Sequence, residues 1–247
     1  TLFWFLMISI SWGEAGVLDD LRGPPSSLVP STNNEQALKV YSNDQLANLR
    51  KSIADVVHEL VMGVKQTPNF RRALLQDIAG LCCFFGQKQT AEFLLPILPA
   101  FLNDRDEQLR TVFYGQIAYV CFFIGERNVE EFIAPLIVQA LSDITEGVIV
   151  NTLDCLTALC KSGYFRKRLL LMMIQNAFLL LCYPSECVRR SAVSFIAASS
   201  ESLGAIDSYV FLAPIIRPFL RRQPASLSSE SALLSCLKSP VSRQGYY

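Results

Sequence analysis

The chain's single histidine, His58, lies between Val57 and Glu59 with no serine or cysteine at a nucleophile–base spacing, so it gives no foothold for a hydrolytic triad. Carboxylates close enough for acid–base work occur as Asp104, Asp106 and Glu107, and again as Glu130 and Glu131. The first group falls in a turn ahead of an apolar run, where helix capping explains it. No set of histidine, cysteine and carboxylate has metal-ligand spacing, and no motif calls for a cofactor. The chemistry that recurs is cationic: Arg71-Arg72, Arg166-Lys167-Arg168, Arg189-Arg190 and Arg221-Arg222. Guanidinium groups bind carboxylates and anionic headgroups, which marks Arg71, Arg72, Arg166, Arg168, Arg221 and Arg222 as candidate partner-facing residues. The competing reading is solvated helix ends and pairing between neighbours. The 22 basic and 22 acidic residues cancel, and no aromatics interleave the arginines, so nucleic acid is not an expected partner.

Those cations sit on a chain that is 51% apolar and 18% charged, enough for a continuous core. Four glycines, Gly86, Gly125, Gly163 and Gly204, close successive apolar runs at a nearly constant interval. A beat of this length, about 40 residues, marks a helical repeat array, in which each repeat buries its core only against its neighbours. Cys82, Cys121 and Cys160 keep the same beat. The eight cysteines are therefore read as buried reduced thiols of a cytosolic protein rather than as disulfides.

The first twelve residues, TLFWFLMISISW, are apolar but too short to cross a bilayer, which takes about 20. With no basic flank and no initiator Met, they are read as a gene-model artefact rather than a signal, and the chain as a fragment of a longer protein. Residues 1–42 are assigned to this stretch plus a disordered linker around GPPSSLVPSTNN. Residues 43–247 are assigned to the repeat array, incomplete at its C-terminal side, where apolar surface is expected to be exposed.

Within the array, three-and-four spacing predicts a helix after a cap at Asn43 or Asp44, carried by Leu46, Leu49, Ile53, Val56, Val57, Leu60 and Val64. A second helix is predicted over 69–85. Pairs follow at 93–102 with 107–123, 129–141 with 147–160, and 166–181 with 185–199, and 211–220 opens a fifth. The fold class is all-α: an α-solenoid of about five helical hairpins. A finer signature repeats inside them. Pro96, Asp104, Leu109 and Arg110 set a spacing that Pro135, Asp143 and Val148 keep, with Ile149 where arginine would stand. Tyr183, Val188 and Arg189 continue it with tyrosine for aspartate, and Pro214 restarts it. This pattern resembles the HEAT repeat. Proline bends the first helix by removing a donor. The aspartate can accept amide hydrogens at the start of the second helix. Arginine near that start can reach the aspartate of an adjacent repeat and form a ladder.

The words between these positions are more specific. NFRRALLQDIAGLCCFFG, FLLPILPAFLNDRDEQLR, ALSDITEGVIVNTLDCLTALCKSG and FIAASSESLGAIDSYVFLAPIIRPFLRRQPASL together closely resemble the helical-repeat region of the regulatory subunit of class III phosphatidylinositol 3-kinase, the vacuolar protein sorting fifteen family. The likeness runs from about Asn48 to Gln244 and includes loops as well as core. It implies a non-catalytic scaffold that positions the lipid kinase catalytic subunit and autophagy or sorting subunits. It further implies phosphatidylinositol 3-phosphate production, and a cytoplasmic location peripheral to endosomal and autophagic membranes as part of a complex. The family's kinase-like domain and WD-repeat propeller are not expected here, since the sequence holds no Gly-rich loop, HRD or DFG motif. An N-terminal myristoylation glycine is also missing, because the chain starts Thr1-Leu2. The alternatives are a generic helical-repeat adaptor for complex assembly or transport, and an enzyme transferring phosphate in its own right. SLSSES, Ser226–Ser231, is expected to be a mobile, phosphorylatable loop.

Overall fold

A computed structural model describes residues 32–63, 68–102 and 104–246 of the chain. The apolar N-terminal stretch, the linker up to Ser31 and Val64 lie outside the described residues. Among the described residues every named element is helical, and strand-type pairing is limited to one antiparallel bridge, Leu220 to Leu237. The chain divides into two compact units, one ending at Ile97 and one starting at Leu98.

The first unit holds α1 (Thr32–Met62), α2 (Pro68–Gln76) and α3 (Ile78–Gln89), then a π-helical turn (Thr90–Leu94) and a 3₁₀ turn (Leu95–Ile97). Helix α1 starts at Thr32, well before the cap expected at Asn43 or Asp44. The reason is compositional: Glu35-Gln36-Ala37-Leu38-Lys39 are all strong helix formers and extend the helix upstream of that cap. The buried face of α1 is Ala54, Val57 and Val61, whereas Leu49 and Val56 of the predicted stripe are exposed. Arg50 ties α1 to α3, with Nε donating to the Phe84 carbonyl at 2.9 Å.

The second unit is an α-solenoid. Its first hairpin is α4 (Leu98–Leu102) and α5 (Glu107–Ile124). The next runs through α6 (Glu126–Asn128), a π turn (Val129–Ile133), α7 (Ala134–Ala140) and α8 (Glu146–Lys161). Then come α9 (Lys167–Ala177), a 3₁₀ turn (Phe178–Cys182) and α10 (Glu186–Asp207). A π turn (Ser208–Leu212), α11 (Ala213–Ile216) and a 3₁₀ turn (Arg217–Phe219) occupy the region predicted as one helix over 211–220. Two short helices, α12 (Glu230–Cys236) and α13 (Arg243–Tyr246), complete the described chain. Helix α8 packs between α5 and α10, so these second helices are covered on two sides. That is why they carry near-continuous apolar sequence. Leu109, Val148 and Val188 fall at one repeat position and are all fully buried, each burial stabilising the stack by about 2 kcal/mol. Cys82, Cys121 and Cys160 are buried at another. Cys83 and Cys187, by contrast, are exposed, because each lies one helical step from a buried position.

Glycine and proline set the hairpin geometry together. Gly86, Gly125 and Gly204 adopt φ/ψ of 73/172°, 85/158° and 77/171°, a region essentially reserved for glycine. Four residues after each begins a π turn, and ten residues after each stands a proline: Pro96, Pro135 or Pro214. A proline inside a helix cannot donate to the carbonyl four residues back, and its ring crowds that carbonyl. The wider π turn just upstream makes room for it. All three prolines are exposed, so the freed carbonyl side faces water. The remaining repeat supplies the control. Eight residues before Tyr183, at the proline position, stands Gln175, and there α9 is regular α-helix. Its glycine, Gly163 (φ 67°), closes a Schellman motif instead, with the Tyr164 amide on the Leu159 carbonyl at 3.0 Å and its own amide on Cys160 at 2.9 Å. Pro135→Gln is therefore expected to convert the second hairpin's π turn to α-helix with a stability change below about 1 kcal/mol. Hydrogen exchange checks it, through a new protected amide at position 135.

Candidate interaction surface

One edge of the second unit carries the turns that precede α5, α8 and α10. In the first two, an aspartate closes the turn on the amide two residues ahead: Asp104 Oδ1 accepts from Asp106 at 2.8 Å, and Asp143 Oδ1 from Thr145 at 2.8 Å. The N-cap of α5 is Asp106, accepting from the Gln108 amide at 3.0 Å. Arg110 then crosses to the neighbouring repeat. Its Nε and Nη2 meet Asp143 Oδ2 and Oδ1 at 2.9 and 3.0 Å, a fork-on-fork pair, and Nη2 reaches Thr145 Oγ1 at 3.2 Å. Its Nη1 donates to the Asp104 carbonyl of its own turn at 2.9 Å. The two side chains are only 11% and 16% exposed. Burial pushes the Asp143 carboxyl up, but hydrogen bonds from Arg110 and Thr145 outweigh it and hold it below its ordinary value.

The next rung is absent on both sides at once. Ile149 stands where arginine would, Tyr183 where aspartate would, and both are buried. No charge is left stranded. Arg189 turns inward, Nη1 donating to the Tyr183 and Pro184 carbonyls at 2.8 and 3.0 Å. Tyr183 supports the chain's return: Tyr246 meets its ring edge-on with centroids 4.7 Å apart, the Val241 amide bonds the Cys182 carbonyl at 3.0 Å, and Arg243 meets Glu146 at 3.1 Å. Residues 237–246 are thus a strap laid back across these turns. Leu233 and Cys236 of α12 are buried, while Leu234 and Val241 are exposed.

The glycine edge carries the other inter-repeat charges. Arg166 pairs with Glu126 at 2.9 Å, and Lys167 with Asp207 at 2.8 Å while its ammonium lies 4.6 Å from the Phe211 ring centre. These pairs are largely exposed, so each contributes little alone. Tyr164 donates to the Cys121 carbonyl, and Ser208 to the Ser200 carbonyl at 2.9 Å, satisfying helix-end acceptors around the glycine breaks.

Of the candidate partner-facing cations, Arg71 and Arg72 are half-buried on α2 and Arg166 is paired with Glu126. Arg168 is exposed and lines an open groove of about 1110 Å³ between α7 and α9, with Glu130 and Lys167 on its walls. Arg221 and Arg222 line a second cavity of about 610 Å³ together with Arg217. Sequence reasoning passed over Arg217 because it stands alone in Ile216-Arg217-Pro218; its position four residues ahead of Arg221 is the signal that would have found it. SLSSES forms two successive serine turns, with Ser226 accepting from the Ser228 amide at 3.2 Å and Ser229 capping α12 through the Ala232 amide at 3.4 Å.

His58 is exposed on α1. Among the described residues no group of three or more His, Cys, Asp or Glu could hold a metal ion, and no helix is long and apolar enough to cross a membrane. Burial pushes the Cys82 and Cys155 thiols up to about 12, so these two are packing groups, not nucleophiles. The described surface carries paired edges, a groove and an arginine-lined cavity.

Residues 14–247 match the family model described as PIK3R4-like, middle domain. The whole chain is 62% identical over 248 residues to the serine/threonine-protein kinase VPS15 of Arabidopsis thaliana, covering 17% of that protein. It is 34% identical over 236 residues to a probable serine/threonine-protein kinase vps15 of Dictyostelium discoideum, with 91% of this chain and 12% of that one covered. Saccharomyces cerevisiae VPS15, also named a serine/threonine-protein kinase, is 34% identical over 216 residues, covering 87% of this chain and 15% of the relative. The chain spans less than a fifth of the length of each.

Proposed function

The chain belongs to the VPS15 family, through the region described as PIK3R4-like middle domain, and from this premise we propose that it is a non-catalytic scaffold segment of the class III phosphatidylinositol 3-kinase complex. In that role it supports phosphatidylinositol 3-phosphate production for autophagy and for endosomal or vacuolar sorting. It holds the lipid kinase subunit and a sorting or autophagy subunit at fixed separation, and reaches endosomal and autophagic membranes through them. The observation that carries this reading is the match to the middle-domain family model over residues 14–247, on an all-α stack of hairpins. A stack of this kind works by geometry: its contacts are nearest-neighbour, and its edges stay available to partners.

Affinity purification of the tagged chain from cells tests it. The lipid kinase catalytic subunit is expected among the retained proteins. Retention of unrelated assemblies without the lipid kinase would replace this reading with a generic adaptor. Phosphotransfer by the purified chain would end the non-catalytic one.

A further inference from the structure

We propose that the cavity bordered by α11 and the segment after Phe219 is the docking site for an acidic segment of a partner protein, one that presents carboxylates beside an apolar side chain. This rests on the scaffold reading and gives that scaffold a defined point of attachment.

The argument starts from charge. The chain is neutral, with 22 cations against 22 anions, and its second unit pairs several cations with carboxylates: Arg110 with Asp143, Arg166 with Glu126 and Lys167 with Asp207 between repeats, Arg190 with Glu186 within α10, and Arg243 with Glu146 from the C-terminal segment. The 610 Å³ cavity breaks this habit. Arg217, Arg221 and Arg222 all line it, all are exposed, and no carboxylate is among the lining residues. Arg217 and Arg222 make no ion pair among the described residues, and Arg221 meets only a neutral hydroxyl, Ser239 Oγ at 2.6 Å. Three guanidinium groups around one hollow repel one another unless an anion enters.

Shape and lining favour a peptide. The volume lies in the range of ligand sites rather than of surface dimples. Ile216 and Leu227, both buried, form an apolar wall, and Tyr209, 54% exposed, gives an aromatic anchor with a polar tip. A recessed site with an apolar wall suits a carboxylate-bearing segment that also buries a leucine-sized side chain. A bilayer surface is flat and meets protruding cations. The neighbouring groove on α7 and α9 lacks this character, since Glu130 lies on its wall and Lys167 is already bound by Asp207.

Fluorescence anisotropy on the full chain tests the site with a labelled Glu-Leu-Asp-Glu-Leu-Asp peptide. Saturable binding is expected that weakens as salt rises, with no binding of the Gln-Leu-Asn-Gln-Leu-Asn control. R217E/R222E should weaken it at least about tenfold, and R222Q alone about threefold, with melting temperatures unchanged because both side chains are exposed and unpaired. Should the double variant unfold, R222Q carries the same test. Equal affinity in R222Q and wild type overturns the proposal, as does absence of peptide binding. Vesicles containing phosphatidylserine that bind in an Arg217- and Arg222-dependent way, with no peptide binding, reassign the site to membranes and overturn it too. The two levels separate cleanly: a wild-type chain that retains the lipid kinase but ignores the peptide loses the docking site alone, and one that retains no lipid kinase loses the scaffold reading.

Discussion

Asp143→Ala is expected to destabilise the second unit by about 2–4 kcal/mol, the largest effect of any single polar truncation at the repeat junctions. The cost comes chiefly from what is left behind. Arg110 is 11% exposed, with its fork aimed at a carboxylate that would no longer be there. Arg110→Ala should cost a similar amount, because it strips Asp143 of a bidentate partner and the Asp104 carbonyl of a donor. Replacing both by aliphatic residues should cost less than the two single changes added together, by about 1–3 kcal/mol of coupling. The chain has already made such a swap one repeat along, where Ile149 and Tyr183 are buried at the equivalent positions. Urea titration of the four proteins measures the cycle, and strict additivity would dissolve the pair as an energetic unit. The pH dependence has a definite sign. The folded carboxyl of Asp143 titrates below its ordinary value of 3.8, so its stabilising increment is present above that value and is lost as pH falls through the lower folded one. Asp143→Asn should flatten the stability profile in that acid window and leave its shape at neutral pH unchanged.

Gly204→Ala is the second large effect, about 1–3 kcal/mol, and it arises without any steric clash at the new side chain. A Cβ at Gly204 would meet nothing within 4 Å. The penalty is conformational: φ 77° with ψ 171° is open to glycine and closed to L residues. D-alanine introduced at the same position by semisynthesis should restore most of the loss, since the mirror image of that conformation is ordinary extended backbone. Gly163 gives the contrast. Its Schellman geometry is one that asparagine tolerates, so Gly163→Asn should cost less than Gly204→Asn. Thermal unfolding of the three variants decides it, and equal losses at both sites would remove the distinction between the glycines.

The repeating beat was legible because burial on two sides forces a periodic apolar pattern, and Leu109, Val148 and Val188 keep to it. The proline–aspartate–arginine spacing picks out Arg110 and Asp143, which the structure pairs across a repeat junction. What it could not reveal was that three glycines sit in a region essentially closed to other residues while Gly163 closes a Schellman motif, since the four look alike in the sequence. The start of α1 was misplaced because Pro24, Pro25 and Pro30 dominated the composition just ahead of a run of good helix formers. The arginine cavity was half legible: the Arg221-Arg222 doublet stood out, but the third member comes from a helical turn whose neighbours are apolar. A missing acid is also hard to see in a linear string, since the carboxylates that neutralise Arg166 and Lys167 lie a whole repeat away, one upstream and one downstream.

The strap over 237–246 changes how the second unit can come apart. Hairpins that touch only their neighbours fray from an end, one repeat at a time, with little sense in the middle of what the terminus is doing. Arg243 on Glu146 joins residues 97 positions apart, and Tyr246 on Tyr183 spans the last hairpins as well. Opening the last described hairpin must first break those contacts or carry the earlier turns with it. The strap therefore acts as a clasp on a bracelet of otherwise independent links: it adds a loop-closure entropy cost to forming the stack, and in return makes its several repeats yield together.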